Sequence, residues 1–362
     1  MIQRLEKKAS ERDRDFENPW NELWDRSGDA SPLARLETLV DFGDAFGKSD
    51  LRRLQVSVSG TIAAGMVLVP QKRWGVFSYW AAPNNPWVQC GGLLADHRLW
   101  SPDISNELAR QMMALPGSCV CLDWMVVSEE WQQVCSDLRA WGCRVERQLQ
   151  FETGVILTDG DWDVFWAQRS KGFRKKINSR LRQLNAIGKV NFERHINFSN
   201  TPDLERCIET ALQLEHMGWK GEQQTSLNSN PCIRDFFTRS LKDLAAQGML
   251  EIQFLKLDDR AIAFEIGFRS HGTYYSYKIG FDPEFSKFSP GQIITYFQLQ
   301  HWFSSDEIQR VDTVGELSQA TSKWCDETVR RYRYVIATQM GSRGALALWG
   351  QVKPVLKRLL KR

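Results

Sequence analysis

Three extended segments follow one another at 250–257, 261–268 and 273–281, and a helical stretch follows the third. In the middle segment Ile262, Phe264, Ile266 and Phe268 alternate with smaller or polar residues. In the last, Tyr275, Tyr277, Ile279 and Phe281 do the same. A period of two is the mark of a half-buried strand. Asp258-Asp259 and His271-Gly272 supply the two tight turns of a meander. A loop at 282–288 then leads to Ser289 at an N-cap position, Pro290 at the first helical position and Gly291 just inside. Exposed N–H groups with no side chain at Gly291 make a site for a pyrophosphate. The same residues also suit an ordinary strand-to-helix turn.

The elements around this unit predict a mixed α/β architecture. Before the meander come a basic helix at 162–184, a strand at 189–196 and helices at 203–216 and 231–246. After it come a strand at 310–314, a short helix at 318–328 and a last strand at 332–337. The first half holds a looser copy. It has helices at 15–25 and 32–46, strands at 51–58, 62–70 and 74–80, a helix at 103–115, a strand at 118–124, a helix at 128–141 and an extended segment at 143–157. The reading is two domains, 15–158 and 159–340, with an N-terminal extension (1–14) and a basic tail (341–362). Each domain has an ordinary size.

Composition narrows the class. Of 362 residues, 42% are hydrophobic and 25% charged, which suits a globular chain and not a disordered one. No run approaches the roughly 18 apolar residues of a membrane span, and residues 1–8 lack an apolar signal core. A cytoplasmic protein is expected. The eight cysteines form no CxxC pair and read as reduced thiols, mostly buried. The five histidines have no HxxxH spacing, so no metal is expected. The net charge of +3 is uneven. Seven basic residues and no acid lie between Arg169 and Arg182, and six with no acid between Met340 and Arg362. Each run reads as a solvated helix face or an anion-binding one.

With these residues in place, the second half resembles the GNAT-superfamily acetyltransferases of the CelD-like, cellulose-biosynthesis type. Glu215 with Gly218-Trp219-Lys220-Gly221 is similar to one family signature. Tyr277, Asp282-Pro283 and Ser289-Pro290-Gly291 are similar to a second, and Asp312, Gly315 and Lys323-Trp324 to a third. The basic helix fits the one that opens such domains. The resemblance covers roughly residues 161–334. The first half resembles only the degenerate N-terminal domain of such proteins, a tandem plan shared with the FemABX peptidyltransferases. The third motif departs from the pattern, because Ser322-Lys323 stands where the family has Tyr-Lys. A tyrosine that would protonate a leaving thiolate is therefore missing there.

The resemblance implies an acyltransferase that takes acetyl-CoA or another acyl-CoA as donor and needs no metal. The donor is expected at Lys278, Ser289, Pro290, Gly291 and Gln292. Glu215, Asp312 and Lys323 are the expected catalytic residues. Carboxylates at the ends of elements could take a proton from the acceptor, and strand-edge N–H groups could polarise the acyl carbonyl. Trp219, Lys220, Glu265, Asp282 and Trp324 are expected to meet the acceptor, a sugar or cell-surface polysaccharide intermediate lying between the domains. Lys278 is expected on the non-core face of its strand with Tyr274 and Ser276, and Glu265 is expected to point into the cleft. A FemABX-like enzyme, with a charged tRNA held by the 169–182 run, is the alternative. Nucleic acid is otherwise not an expected partner. A third reading is an inactive interaction module. The tail, with Trp349, Leu356 and Leu360 among its lysines and arginines, could touch an anionic inner-membrane surface or pack as a terminal helix.

Overall fold

The alternation at 250–281 is answered by backbone pairing. Among the described residues ten strands and eight α-helices precede the meander. The computed structural model describes residues 2–4, 19–28, 30–47, 50–73, 77–85, 87–117, 119–198, 200–218 and 226–338. The expected tail at 341–362, the residues Trp219 and Lys220, and most of the 1–14 extension lie outside the described residues. The chain divides into two compact units, one of residues 1–150 with those from 330 onward, the other of residues 151–329. Both divisions fall inside strands.

In the first unit β1 (Ile2–Arg4) pairs antiparallel with β2 (Arg52–Val58), so part of the expected extension belongs to the sheet. Helices α1 (Pro19–Arg26) and α2 (Leu36–Ala45) lie between them in sequence. β3 (Thr61–Arg73) and β4 (Phe77–Ala81) complete a meander. Three short strands, β5 (Asn84–Asn85), β6 (Val88–Gln89) and β7 (Leu94–Ala95), fill the connection to α3 (Pro102–Met113). β8 (Cys119–Met125) lies parallel to β4, and α4 (Glu129–Ala140) follows. The last strand of the chain, β15 (Glu327–Ala337), closes this sheet antiparallel to β8 through its residues 332–337. The core gathers Leu54, Met66, Leu68, Leu108, Met112, Leu122, Trp131 and Ile336.

The second unit takes its first edge from the end of β9 (Arg144–Leu157). The basic stretch forms two helices, α5 (Trp162–Gln168) and α6 (Lys171–Asn185), and not one. The break has a local cause. Arg169 is extended, and Ser170 caps α6 by accepting from the Phe173 N–H at 3.3 Å. β10 (Val190–His195), α7 (Thr201–Met217) and α8 (Pro231–Ala246) come next. The meander is β11 (Leu250–Leu257), β12 (Arg260–Ser270) and β13 (Thr273–Phe281). Helix α9 (Pro290–Ser305) and β14 (Arg310–Asp312) follow. The strand order is β9-β14-β13-β12-β11-β10. The loop 282–288 is a 3₁₀ turn, and the expected helix at 318–328 is only a 3₁₀ turn at Thr321–Lys323.

Helices cover both faces of this sheet, so its strands are buried on both sides where a half-buried pattern was read. On one face Tyr277 stacks on Phe237 of α8 at 5.7 Å. On the other, Gln298 of α9 reaches Glu265 of β12 at 3.2 Å. The run of Tyr275, Tyr277, Ile279 and Phe281 does not share one face. β13 carries an extra residue opposite the Ile266–Gly267 step, since Ile266 pairs with Lys278 but Gly267 with Ser276. Such a bulge inverts the alternation. Tyr274 and Ser276 face α9 before it, and Ile279 and Phe281 face α9 after it.

Candidate active site

β13 and β14 pair in parallel for three rungs only, Thr273 with Arg310, Tyr274 with Val311 and Tyr275 with Asp312. Beyond that point the chain after β14 leaves β13. Asp312 Oδ1 accepts from the Val314 N–H at 2.7 Å, in a turn where Val314 has φ 57°. Thr313 N–H then donates to Gly154 O and Leu317 N–H to Glu152 O, so the segment follows β9. β13 continues to Phe281, and among the described residues no strand pairs with it on that side beyond Tyr275. The result is a fork inside one sheet, and strand-edge N–H groups line one arm.

The N-terminus of α9 stands beside this arm. A Cβ built on Gly291 would lie 3.6 Å from Ile279 Cδ1 and 3.8 Å from Phe281 Cδ1. Ile279 and Phe281 are 42% and 40% exposed, unusual for large apolar residues. Pro290 occupies the first helical position as expected, and the first turn holds no acid. Ser289 takes the N-cap position, but its side chain makes no cap bond and its backbone is left-handed, φ 56° and ψ 53°. The N–H of Gly291, in the first turn, has no carbonyl one turn back to bond. Gln292 Oε1 accepts from Trp324 Nε1 at 3.0 Å, which fixes its side chain. Lys287, two residues before Ser289, stands exposed with Nζ 4.9 Å from the Phe288 ring. It is a cation near the helix start that the sequence reading passed over, although its place in the loop before Ser-Pro-Gly is the signal.

The other expected residues divide. Trp324 is buried and stacks on Trp166 at 5.8 Å, with Phe173 edge-on at 4.9 Å. It is a core residue and not a platform for a sugar. Lys323 is exposed, with Nζ 5.8 Å from the Phe173 ring. Asp282, expected at the acceptor, is instead buried and spent on its own loop. Its Oδ1 accepts from the Glu284 N–H at 3.0 Å and its Oδ2 from Arg260. Glu215 is buried in the last turn of α7, where Oε2 accepts from the Leu227 N–H at 2.8 Å and so ties down the far end of the loop after α7. Lys278 is half-buried against the Tyr277 ring at 4.8 Å, on the α7 and α8 side. Its expected companion on a non-core face, Tyr274, is fully buried and packs on Trp302 at 4.3 Å.

Glu265 does not open into a cleft. It lies 2% exposed beneath α9, in a polar network of Gln253, Glu251 and Gln298. Arg194 holds Glu251 through Nε at 2.7 Å and Nη2 at 3.1 Å. Burial pushes the Glu265 carboxyl up to about 7, against hydrogen bonds from Ser276 and Gln298 that favour the anion. The cysteines are all free, five buried and only Cys232 exposed, and burial raises Cys325 to about 12. Among the described residues no three His, Cys, Asp or Glu side chains gather as a metal site, and no helix is long and apolar enough to cross a membrane.

Comparison with known proteins meets this geometry. No curated protein sequence matches the chain. The crystal structure of FemX is similar at TM-score 0.62, with 12% identity over 88% of this chain and 96% of that one. The C-terminal domain of a putative lysylphosphatidylglycerol synthetase from Agrobacterium fabrum gives 0.54 at 14% identity, covering 91% and 93%. L-PGS from Bacillus licheniformis gives 0.50 at 13% identity, covering 94% and 96%. At these identities the likeness is one of fold. The model of the acetyltransferase (GNAT) domain family matches residues 171–320, from the first residue of α6 to just short of Lys323. Residues 171–320 are thus similar to the GNAT acetyltransferase domain, and the chain is an enzyme of the acyltransferase class.

Proposed function

We propose that the second unit transfers an acyl group from acyl-CoA to a hydroxyl or amine of a saccharide, an intermediate of a cell-surface polysaccharide. The observation that carries the donor half is the uncapped start of α9 beside the length of β13 that runs past its last rung with β14. The pyrophosphate takes the N–H of Gly291 and the positive end of the helix, while the Gln292 N–H already donates to the Ser289 carbonyl at 2.9 Å. Lys287 supplies a nearby charge. The pantetheine arm runs over Ile279 and Phe281, whose exposure supports an apolar ligand there. The thioester then lies in the fork, where N–H groups of the β13 edge polarise its carbonyl.

The acceptor approaches from the α7 and α8 face, opposite α9. Asp312, at the last rung of the fork, is the carboxylate best placed to take or orient its proton. Glu215 holds the Leu227 N–H beyond α7, and the acceptor role of Trp219 and Lys220 rests on the motif resemblance alone. Lys278 faces the same side and Lys323 stands near α6. A resemblance to CelD-like proteins supports the saccharide class.

One observation favours a second donor. α6 has Lys171, Lys175 and Arg182 exposed, and no acid in its first turn. These three recur on one helix face, which suits a polyanion such as the acceptor arm of a charged tRNA. A thermal-shift screen with acetyl-CoA, longer acyl-CoAs and tRNA separates the readings. A ligand at 100 times its dissociation constant adds about 2.7 kcal/mol of stability. Stabilisation by acyl-CoA alone is expected. Stabilisation by tRNA alone would transfer the donor role to the second reading.

A further inference from the structure

Three consecutive residues after the α7 loop are tied to the last two turns of α7. Asn228 Nδ2 donates to the Leu212 carbonyl at 3.3 Å, the Leu227 N–H donates to Glu215 Oε2 at 2.8 Å, and His216 Nδ1 shares a hydrogen bond with Ser226 Oγ at 2.9 Å. Ser226 is 1% exposed, whereas His216 is exposed. A buried hydroxyl thus grips the imidazole on its Nδ1 side and leaves Nε2 on the solvent side. Among the described residues the ring joins no ion pair. Resting on the acyl-transfer reading above, we propose that His216 is the catalytic base, and that its Nε2 takes the proton from the amine or hydroxyl of the acceptor as the acyl group moves.

The course of the chain puts this ring at the open end of the fork. β10 ends at His195, opposite Ile252 near the start of β11, and at that end of the sheet β12 finishes and β13 begins. α7 starts there and packs on β12 and β13. Its 17 residues make a helix about 25 Å long, enough to carry the chain to the end where β13 outruns β14. α8 leads back from that end to β11. On the way its Phe237 stacks at 5.7 Å on Tyr277, which lies just past the last rung with β14. Ser226, Leu227 and Asn228 come before α8, so they and His216 lie at the open end, on the α7 and α8 face.

The two ring nitrogens have separate tasks. With the proton on Nδ1 donated to Ser226 Oγ, Nε2 keeps its lone pair and accepts. The acceptor nitrogen or oxygen bonds to the thioester carbon and gives its proton to Nε2. The carbon–sulfur bond then breaks, and the thiolate of coenzyme A leaves with the electron pair. It takes a proton from the imidazolium, directly or through one water, which restores the neutral ring. The ring thereby supplies the proton for which the third motif lacks a tyrosine before Lys323. While charged, it stands at the C-terminal end of α7, whose partial negative charge favours a cation. Asp312 is left to orient the acceptor.

The test is acetyl transfer from acetyl-CoA, followed as released thiol with glucosamine and glucose as the amine and hydroxyl probes, and calorimetry of acetyl-CoA binding alongside. His216→Asn keeps a polar partner for Ser226 but no basic nitrogen. It should lower turnover about 10² to 10⁴-fold, with acetyl-CoA affinity changed less than about twofold. His216→Ala should fall as far, and imidazole added to the buffer should raise its turnover about tenfold or more, a rescue that a merely structural histidine does not allow. Turnover of His216→Asn within about twofold of the parent, or no rescue of His216→Ala, overturns this inference and leaves the donor site standing. A parent protein that does not bind acetyl-CoA, or binds it and acetylates neither probe, overturns the acyl-transfer reading and this inference together.

Discussion

The two units run through the same order of elements and differ at one end of it. Each leads from a meander into a helix that begins Ser-Pro, at Ser101-Pro102 in the first and Ser289-Pro290 in the second. The next residue is Asp103 in one and Gly291 in the other. An acid in the first turn uses the positive end of the helix for itself, worth about 0.3–1 kcal/mol. A glycine leaves it open. Ser101 is extended, with φ −151°, whereas Ser289 is left-handed. The strands differ too. β4 ends at Ala81, which is also its last rung with β8. β13 outruns its last rung from Ser276 to Phe281. A fork needs both an uncapped helix start and a strand that outruns its neighbour, and among the described residues the second unit combines them at α9 and β13. The same backbone plan thus ends closed in one place and open in the other.

The comparison can be broken at several points. The largest effect concerns the last rung, which holds Asp312 in the second unit and Cys121 in the first. Asp312→Asn keeps an oxygen for the Val314 turn, so the fold should hold. Turnover of acetyl-CoA, followed as free thiol with an amino-sugar acceptor, should fall about 10² to 10⁴-fold. The same change at Glu215, to glutamine, should fall short of that, because its oxygen is spent on Leu227. Turnover of Asp312→Asn within about twofold of the parent would leave the residue with its turn alone.

Next in size is the packing of each middle strand. A Cβ on Gly267 would overlap the Tyr274 ring, which is fully buried, and one on Gly65 would come 2.8 Å from Trp20 Cζ3. Gly267→Ala should cost about 3 kcal/mol in denaturant unfolding, with Gly65→Ala milder. An equal or reversed cost would mean the second unit is no more tightly packed at its fork than the first.

A third test uses pH. The Glu265 carboxyl is raised from 4.5 to about 7 when folded, so between those values the folded chain holds a proton that the unfolded chain has lost. Stability must therefore fall as pH rises through that window. Against Glu265→Gln, the parent should lose about 2.5 kcal/mol between about pH 5 and about pH 8. A flat difference would mean the carboxyl is already ionised when folded. The smallest effect is that of Asp103→Gly, which should cost the first unit about 0.5–1 kcal/mol through the lost helix-start charge and added backbone freedom. A gain in stability there would show that the acid is strained.

Much of the stretch from β13 to the start of α9 was legible because it is local. Ser-Pro-Gly after a strand and a short loop names a helix start, and the alternation of Ile262 to Phe268 names a buried strand. What escaped the sequence is what depends on pairing. Nothing in the residues marks the extra residue in β13, so Tyr275 and Ile279 were read onto one face when the bulge puts them on opposite ones. Glu265 was taken for a cleft residue because polar residues on strands face water by default; α9 covers it. Asp282 and Trp324 match a motif, yet their partners, Arg260 and Trp166, come from distant parts of the sequence that no local pattern connects. The exchange of last strands, β9 into the second unit and β15 into the first, needs the whole fold to be seen.

The central claim is that the open helix end at Gly291, and not the shared plan, makes the second unit the one that holds the donor. Calorimetric titration of acetyl-CoA into the unsubstituted protein, Gly291→Asp and Asp103→Gly measures it directly. Gly291→Asp gives the second unit the residue that the first already has. A Cβ at that position meets nothing closer than 3.6 Å, so the fold should persist. The account predicts one site per chain in the parent, affinity weakened at least about 100-fold in Gly291→Asp, or about 2.7 kcal/mol, and no second site in Asp103→Gly. Undiminished binding by a folded Gly291→Asp protein would contradict it.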